Sequence, residues 1–406
     1  MMLNKKTSYT RPRNLLFLFE LLAIALLFVY DRENLDRFTI ISGLSLILMI
    51  YISNFLLLRI STGDNYIFLI TTMLLSIGVI MIYRINPALG MKQVIWIGIG
   101  ILLFFISYFI VKNIKGWRDW TNIYFIASLG LFVGTLVFGT TKKGSTNWLS
   151  IGRFSFQPTE ITKILLIFLI ASYYANYEKY KEKKYGSYYL TGIVYLFIGF
   201  LFLQKDLGTV LIFYSIFIAL QFIYEENRKL IYLNILFFVI AGIAGYFLFD
   251  HVKVRFQIWI DPWKYIDNKG YQITQSLFAI ATGGFFGTGI GLGYPDFIPE
   301  VYTDFIFSAI CEEMGVFTGM GVIMLFLILV YRGFKIAISQ NDKFFRIVAL
   351  GISILFGIQS FIIFGGVLKL IPLTGITIPF VSYGGSSMLS SFIALGILQV
   401  ASEELD

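Results

Sequence analysis

The residues of this sequence whose types and spacing could do chemistry are ionisable side chains set into or against apolar runs. Glu160 and Lys163 stand three apart just after Pro158, a spacing that puts them on one helical face where they can pair. The pair either belongs to a helix start that Pro158 and Thr159 open or lines a polar substrate groove. Lys205 and Asp206 interrupt two apolar runs at 204–208. That break reads as a tight turn, or as a cavity wall on which Asp206 orients cations or sugar hydroxyls. Asp304 follows Thr303 and is placed to cap a helix, with Glu312 and Glu313 about 12 Å further along. Adjacent residues project about 100° apart, so at least one of these two acids must meet a cation or a cavity.

The longest polar segment, 250–303, carries WIDPWKYIDNKGYQITQSLFAIATGGFFGTGIGLG. A membrane chain with short connections elsewhere has no architectural need for it, so its Asp, Lys, Gln and Gly residues are the first place to look for function. Gly283, Gly284, Gly287, Gly289, Gly291 and Gly293 lack the spacing and the strand-to-helix context of a phosphate loop. They point instead to close helix packing or a re-entrant segment. One cysteine, Cys311, and one histidine, His251, exclude an intrachain disulfide and a histidine-rich metal site.

The elements that must position these groups are membrane helices. Apolar residues make up 57% of the chain and charged residues 14%, a balance that an all-α polytopic membrane protein requires. At roughly 20 residues per span, the apolar runs near 14–30, 38–58, 65–83, 93–111, 119–138, 161–178, 187–203, 207–224, 230–249, 304–331, 347–368 and 385–401 give about twelve spans. Basic residues gather before the first span and in the even-numbered connections: Lys112, Lys115 and Arg118; Lys179, Lys181, Lys183 and Lys184; Arg228 and Lys229; Arg332, Lys335, Lys343 and Arg346. They place both termini in the cytoplasm and the segments 139–159, 250–303 and 369–384 outside. The net charge of +8 is spread over these short loops, which is a signature of topology rather than of nucleic-acid binding.

Five blocks in order, FSFQPTEITKI, QKDLGT, DPWKYIDNKGYQITQSLFAI, TDFIFSAICEEMG and LIPLTGITIPFVSYGGSS, resemble the SEDS family of RodA, FtsW and SpoVE proteins. The resemblance covers roughly 140–400. It implies a ten-helix core over 63–406, with the cytoplasmic tail and two extra helices of 1–62 added before it and 250–303 as the outer catalytic loop. It further implies a peptidoglycan glycosyltransferase of the bacterial cytoplasmic membrane that polymerises lipid II, an undecaprenyl-pyrophosphate disaccharide-pentapeptide, at the outer face and works with a class B penicillin-binding protein. Such a reaction asks for a carboxylate to take the proton of the attacking hydroxyl. It also asks for cationic groups, or a divalent cation such as Mg or Mn, to neutralise the departing pyrophosphate.

In the family the base is an aspartate of the long outer loop, third after the proline that precedes the aromatic, and counting from Pro262 lands on Tyr265. A local gap brings Asp267 into that position, next to Gly270 and Tyr271. Asp261 is the second candidate, although a residue just before Pro262 is also suited to cap a turn. The third reading leaves Tyr265 at the site and the polymerase impaired, a scaffold for the penicillin-binding protein. By resemblance, Glu160 and Lys163 organise substrate or cation, Asp206 makes the groove polar, Gln272 and Ser276 position the loop, and Asp304 and Glu313 complete the lining. Lys205 replaces a family proline and stands in for the arginine that is Asn147 here. A lipid II flippase competes with the transferase, but would need polar residues throughout the membrane depth, whereas these concentrate outward. A secondary transporter is disfavoured by the absence of matching broken helices in two halves.

Overall fold

Every apolar run becomes a helix, because a backbone in hydrocarbon can satisfy its polar groups only within the segment. The computed structural model describes residues 2–30, 37–142, 144–152, 154–182 and 186–403; Lys183 and Lys184, used above for orientation, lie outside them. The chain begins with α1 (Met2–Tyr30), α2 (Arg37–Ile60), α3 (Tyr66–Ile85), α4 (Pro87–Asn113) and α5 (Thr121–Phe138). After three short strands come α6 (Thr159–Ala175), α7 (Tyr177–Lys181), α8 (Gly186–Leu203), α9 (Leu207–Tyr224) and α10 (Arg228–Leu248). The last third holds α11 (Asp250–Ile260), α12 (Tyr271–Gly283), α13 (Ile306–Ser339), α14 (Lys343–Val367) and α15 (Gly385–Ala401). Among the described residues, eight helices are long and apolar enough to cross a membrane, and shorter apolar helices cover 188–203 and 385–401. With α1 and α6 beside them, the protein is an all-α polytopic membrane bundle.

The centre is built from α3 and α14, whose apolar windows are 83% and 78% buried, while α10, at 22%, faces outward along most of its length. Small residues let the inner helices approach: a Cβ added at Gly396 of α15 would stand 2.2 Å from Ser107 Oγ of α4, and one at Gly100 of α4 would meet the Phe392 ring at the same distance. The first two helices are fastened to each other and to α3 by buried hydrogen bonds. Tyr9 Oη donates to Asn54 Oδ1 at 2.6 Å, Ser76 Oγ to Glu20 Oε1 at 2.6 Å, and Tyr83 Oη to Thr39 Oγ1 at 2.6 Å.

One end of the bundle carries the basic connections. There Glu403 accepts from Ser61 Oγ at 2.6 Å and Tyr108 Oη at 2.7 Å and pairs with Lys112 at 2.8 Å. The opposite end is more ordered than a set of irregular loops. Within 139–159 lies an antiparallel sheet of β1 (Thr140–Lys142), β2 (Ser145–Ile151) and β3 (Phe154–Phe156), in the order β1-β2-β3. The segment 250–303 is no open loop either, since α11, a 3-10 turn at Trp263–Tyr265, α12 and a second 3-10 turn at Pro295–Phe297 fill much of it.

Its glycine-rich return repairs a break in α13. Gly315, at φ 84° and ψ 160°, interrupts that helix, and the freed groups need partners. Thr288 and Gly289 donate their N–H groups to the carbonyls of Glu312 and Glu313 at 2.9 and 3.0 Å, while Val316 and Phe317 donate to the carbonyls of Gly284 and Phe285 at 2.9 and 3.1 Å. Glu313 pairs with Arg84 at 3.1 Å and accepts from Gly291 N–H at 2.9 Å; Glu312 accepts from Tyr294 N–H at 3.0 Å. The two acids therefore find their cation and donors in α3 and the returning glycine-rich segment. Gly287, at φ 86°, lies so close that a Cβ would come within 2.3 Å of Glu313 O. Gly287→Ala is accordingly expected to destabilise the protein by about 1–3 kcal/mol, read as an earlier heat-induced loss of monodisperse protein in detergent.

Candidate functional site

At the non-basic end, a groove of about 330 Å³ runs between α11, the start of α12, the approach to α13 and the segment after α14. Helix α11 turns Arg255, Ile258 and Trp259 toward it, the spacing of one helical face. The facing wall is held against that helix by three bonds. Arg255 Nη1 donates to Thr374 O at 2.9 Å, Trp259 Nε1 to Lys369 O at 3.1 Å, and Lys369 Nζ to Ile260 O at 3.4 Å. Gly375, at φ 73°, brings the backbone close enough that a Cβ there would stand 3.4 Å from Arg255 Nη2 and 3.6 Å from Asp304 Oδ2.

Three cations, Arg255, Lys269 and Lys369, and two carboxylates, Glu300 and Asp304, share this small volume. Desolvation lowers the Arg255 pKa, and the charges of Asp304 and then Asp206 oppose that fall; a guanidinium so placed stays charged. His251, which does not line the groove, is held below the ordinary imidazole value by desolvation first and then by the charges of Arg255 and Lys205. The arrangement suits an elongated ligand bearing an anionic group and hydroxyls.

Of the residues singled out above, Gln272 and Asp304 line the groove. Gln272 Nε2 donates to Pro299 O at 3.3 Å. Asp304 does not cap α13, whose first turn begins at Ile306 with Phe305 before it and no side-chain cap. Asp206 borders the groove's far wall: it caps α9 by accepting from Thr209 N–H at 3.2 Å, and its other oxygen accepts from Asn147 Nδ2 at 2.8 Å and Gln157 Nε2 at 3.4 Å. A Cβ added at Gly208, two residues on, would stand 3.1 Å from Ile376 and 3.4 Å from the Thr374 carbonyl, so the extended segment 374–376 that accepts from Arg255 also lies against the start of α9.

Glu160 and Lys163 form a separate buried pair at 2.9 Å, completed by Ser390 Oγ donating to Glu160 Oε2 at 2.7 Å. One turn earlier on α15, Ser386 Oγ accepts from Gln157 N–H at 3.2 Å, which links this pair to the Asp206 cluster. Lys205 is exposed at the tip of its turn at φ 56°; Thr146 N–H and Ser145 Oγ bond the carbonyls of Gln204 and Lys205 at 3.0 Å, so the turn does lie beside Asn147. Ser276 is buried against Ser308 at 2.6 Å, holding α12 to α13, and Glu313 sits with Arg84 away from the groove. Asp261 is exposed, and its carboxylate accepts from Lys264 N–H at 3.4 Å in a turn-capping arrangement. Asp267 is exposed on the turn leading to Lys269 and does not itself line the groove.

The cations Arg255 and Lys269 and the acid Glu300 escape a reading that treats 250–303 as loop, and Lys369 escapes one that treats 369–384 in the same way. The Arg255-to-Trp259 spacing in a charged stretch was the available signal for α11. No group of three or more His, Cys, Asp or Glu side chains able to hold a metal occurs among the described residues. Asp304 is already faced by Arg255, so the donor set does not fit a protein-built cation cage.

The family model of the FtsW/RodA/SpoVE cell cycle proteins matches residues 64–406. The peptidoglycan glycosyltransferase RodA of Mycobacterium tuberculosis is 33% identical over 367 residues, covering 82% of this chain and 77% of that protein. Stage V sporulation protein E of Bacillus subtilis is 32% identical over 358 residues, covering 83% and 96%. Among solved structures, a chain of a peptidoglycan synthase complex that coordinates polymerization and crosslinking superposes with a TM-score of 0.72 at 23% identity, covering 84% of this chain and 97% of that one. The rod shape determining protein RodA of Thermus thermophilus gives 0.60 at 23% identity with the same coverage. At that identity the structures speak for the fold alone.

Proposed function

Because the chain belongs to the FtsW/RodA/SpoVE family of cell cycle proteins, we propose that it is a peptidoglycan glycosyltransferase that polymerises lipid II into β-1,4 glycan at the outer face of the bacterial cytoplasmic membrane. The observation that carries this reading is the groove in which Arg255, Lys269 and Lys369 face Glu300 and Asp304, at the end of the bundle opposite the basic connections. With those connections in the cytoplasm, both termini are cytoplasmic and the groove opens outward. A lipid-linked sugar can then enter it from the outer leaflet while the growing glycan arrives from water.

In the reaction the GlcNAc 4-hydroxyl of one chain attacks the anomeric carbon of the other. The new C–O bond forms as the bond to pyrophosphate breaks, the hydroxyl proton passes to a carboxylate, and the leaving electron pair goes out on the pyrophosphate. Single displacement turns the α-linked donor into a β-linkage without a covalent enzyme intermediate. Arg255, Lys269 and Lys369 neutralise the departing anion, Asp304 holds Arg255 in place, and Gln272 and Glu300 align the sugars. Asp267, two residues from Lys269, is the proposed base, reached when substrate draws the turn over the groove. Asp261 is occupied as a turn cap. No step is routed through a metal. A class B penicillin-binding protein is the proposed partner that crosslinks the product.

Against a flippase stands the interior beyond the Glu160–Lys163 pair, where α6 and α15 present buried Ile164, Ile167, Leu395 and Leu398. Purified protein with its partner and labelled lipid II is expected to yield a ladder of glycan strands. Lipid II crossing between leaflets of proteoliposomes, with no polymer formed by a protein that melts cooperatively, would replace the transferase by the flippase.

A further inference from the structure

A second cavity, about 710 Å³, opens at the basic end between α9, α10, α13 and α14. Its walls are apolar, with Phe222, Ile235, Phe334 and Leu350 among them, and the one charged side chain in the lining is Arg346. Arg346 Nε donates to Gln340 O at 2.9 Å, which fixes the plane of the guanidinium. Arg228 stands at the same mouth: it donates to Phe222 O, and its guanidinium carbon lies 5.3 Å from the centroid of the Phe222 ring that lines the cavity. Phe222 and Ile338 are largely exposed, at 63% and 83%, so the trough is open sideways to whatever surrounds the bundle.

An apolar trough with two backbone-anchored arginines at its mouth is complementary to acyl chains joined to an anionic head. Basic pockets between helices on the cytoplasmic side recognise anionic lipids in this way. We infer that this cavity binds an anionic phospholipid of the cytoplasmic leaflet, its acyl chains between α9, α10, α13 and α14 and its phosphate between Arg346 and Arg228. The site rests on the orientation proposed above and not on the transferase chemistry.

Native mass spectrometry of the detergent-purified full chain, offered phosphatidylglycerol, phosphatidylcholine and undecaprenyl pyrophosphate at equal concentration, reads the site directly. Wild type is expected to retain phosphatidylglycerol preferentially. Arg346→Gln and Arg228→Gln should each lower that retention about fivefold, Arg346→Lys should restore most of it, and Ile235→Trp, which fills the trough without touching a charge, should remove it. Equal retention of the two phospholipids by wild type, or unchanged retention in the arginine and tryptophan variants, overturns the proposal. So does preferential retention of undecaprenyl pyrophosphate, which would make the cavity an inner-leaflet substrate site.

Discussion

Arg255→Ala is expected to lower lipid II polymerisation about 10²–10³-fold, the loss typical of removing one preorganised charge-stabilising donor. Two effects combine. The groove loses a cation that the Asp304 charge faces, leaving Lys269 and Lys369 alone to offset its two carboxylates against the departing pyrophosphate. It also loses the bond to Thr374 O at 2.9 Å that clamps α11 against the 374–376 segment, so the opposite wall drifts and Trp259 with it. Arg255→Lys keeps the charge but not the planar fork and should recover only part of the rate. The check is kcat/KM with purified lipid II beside a melting curve. Wild-type polymerisation by a folded Arg255→Ala protein would remove the groove from the mechanism.

Asp267→Asn should cut polymerisation about 10²–10⁴-fold, the range for a lost general base, while lipid II binding and melting stay unchanged. Asp261→Asn should remain near wild type, since an amide oxygen can still accept from Lys264 N–H. Tyr265→Phe should also be mild: what Tyr265 gives the turn is its carbonyl, which accepts from Asn268 and Gly270 N–H at 3.1 and 2.8 Å. Full activity in Asp267→Asn would sink the base assignment. If wild type with an active partner makes no polymer but Tyr265→Asp does, the chain is a scaffold whose catalytic position is filled by tyrosine.

The helices were legible because hydrocarbon imposes length and apolarity on each of them separately, and the Gln204–Asp206 break reads correctly as a turn for the same local reason. Glu160 and Lys163 pair as their spacing on one helix demands. What stayed hidden depends on distant contacts. Arg255 and Thr374 are 119 residues apart, and nothing local distinguishes Arg255 from the other charges of α11. The short strands β1 to β3 carry no long alternation to betray them. Glu313 looked like groove lining because its partner, Arg84, lies on a helix that sequence proximity could not connect to it. Asp304 looked like a cap because its place before an apolar run is the place of a cap; the chain instead delays the helix to Ile306.

The packing of α15 also dictates when the protein can be finished. Ser390 is a partner of Glu160, Gln399 Nε2 donates to Ser61 Oγ at 2.8 Å, and Glu403 satisfies Ser61, Tyr108 and Lys112. All of these partners emerge from the ribosome long before α15 does. Until then Glu160 and Lys163 have only each other, and the face of α4 that receives α15 lies open in the bilayer. Insertion can proceed helix by helix, but closure waits for α15. A chain stopped before α15 is therefore an unsealed bundle in which Glu160 lacks Ser390 and Ser61 lacks Gln399 and Glu403.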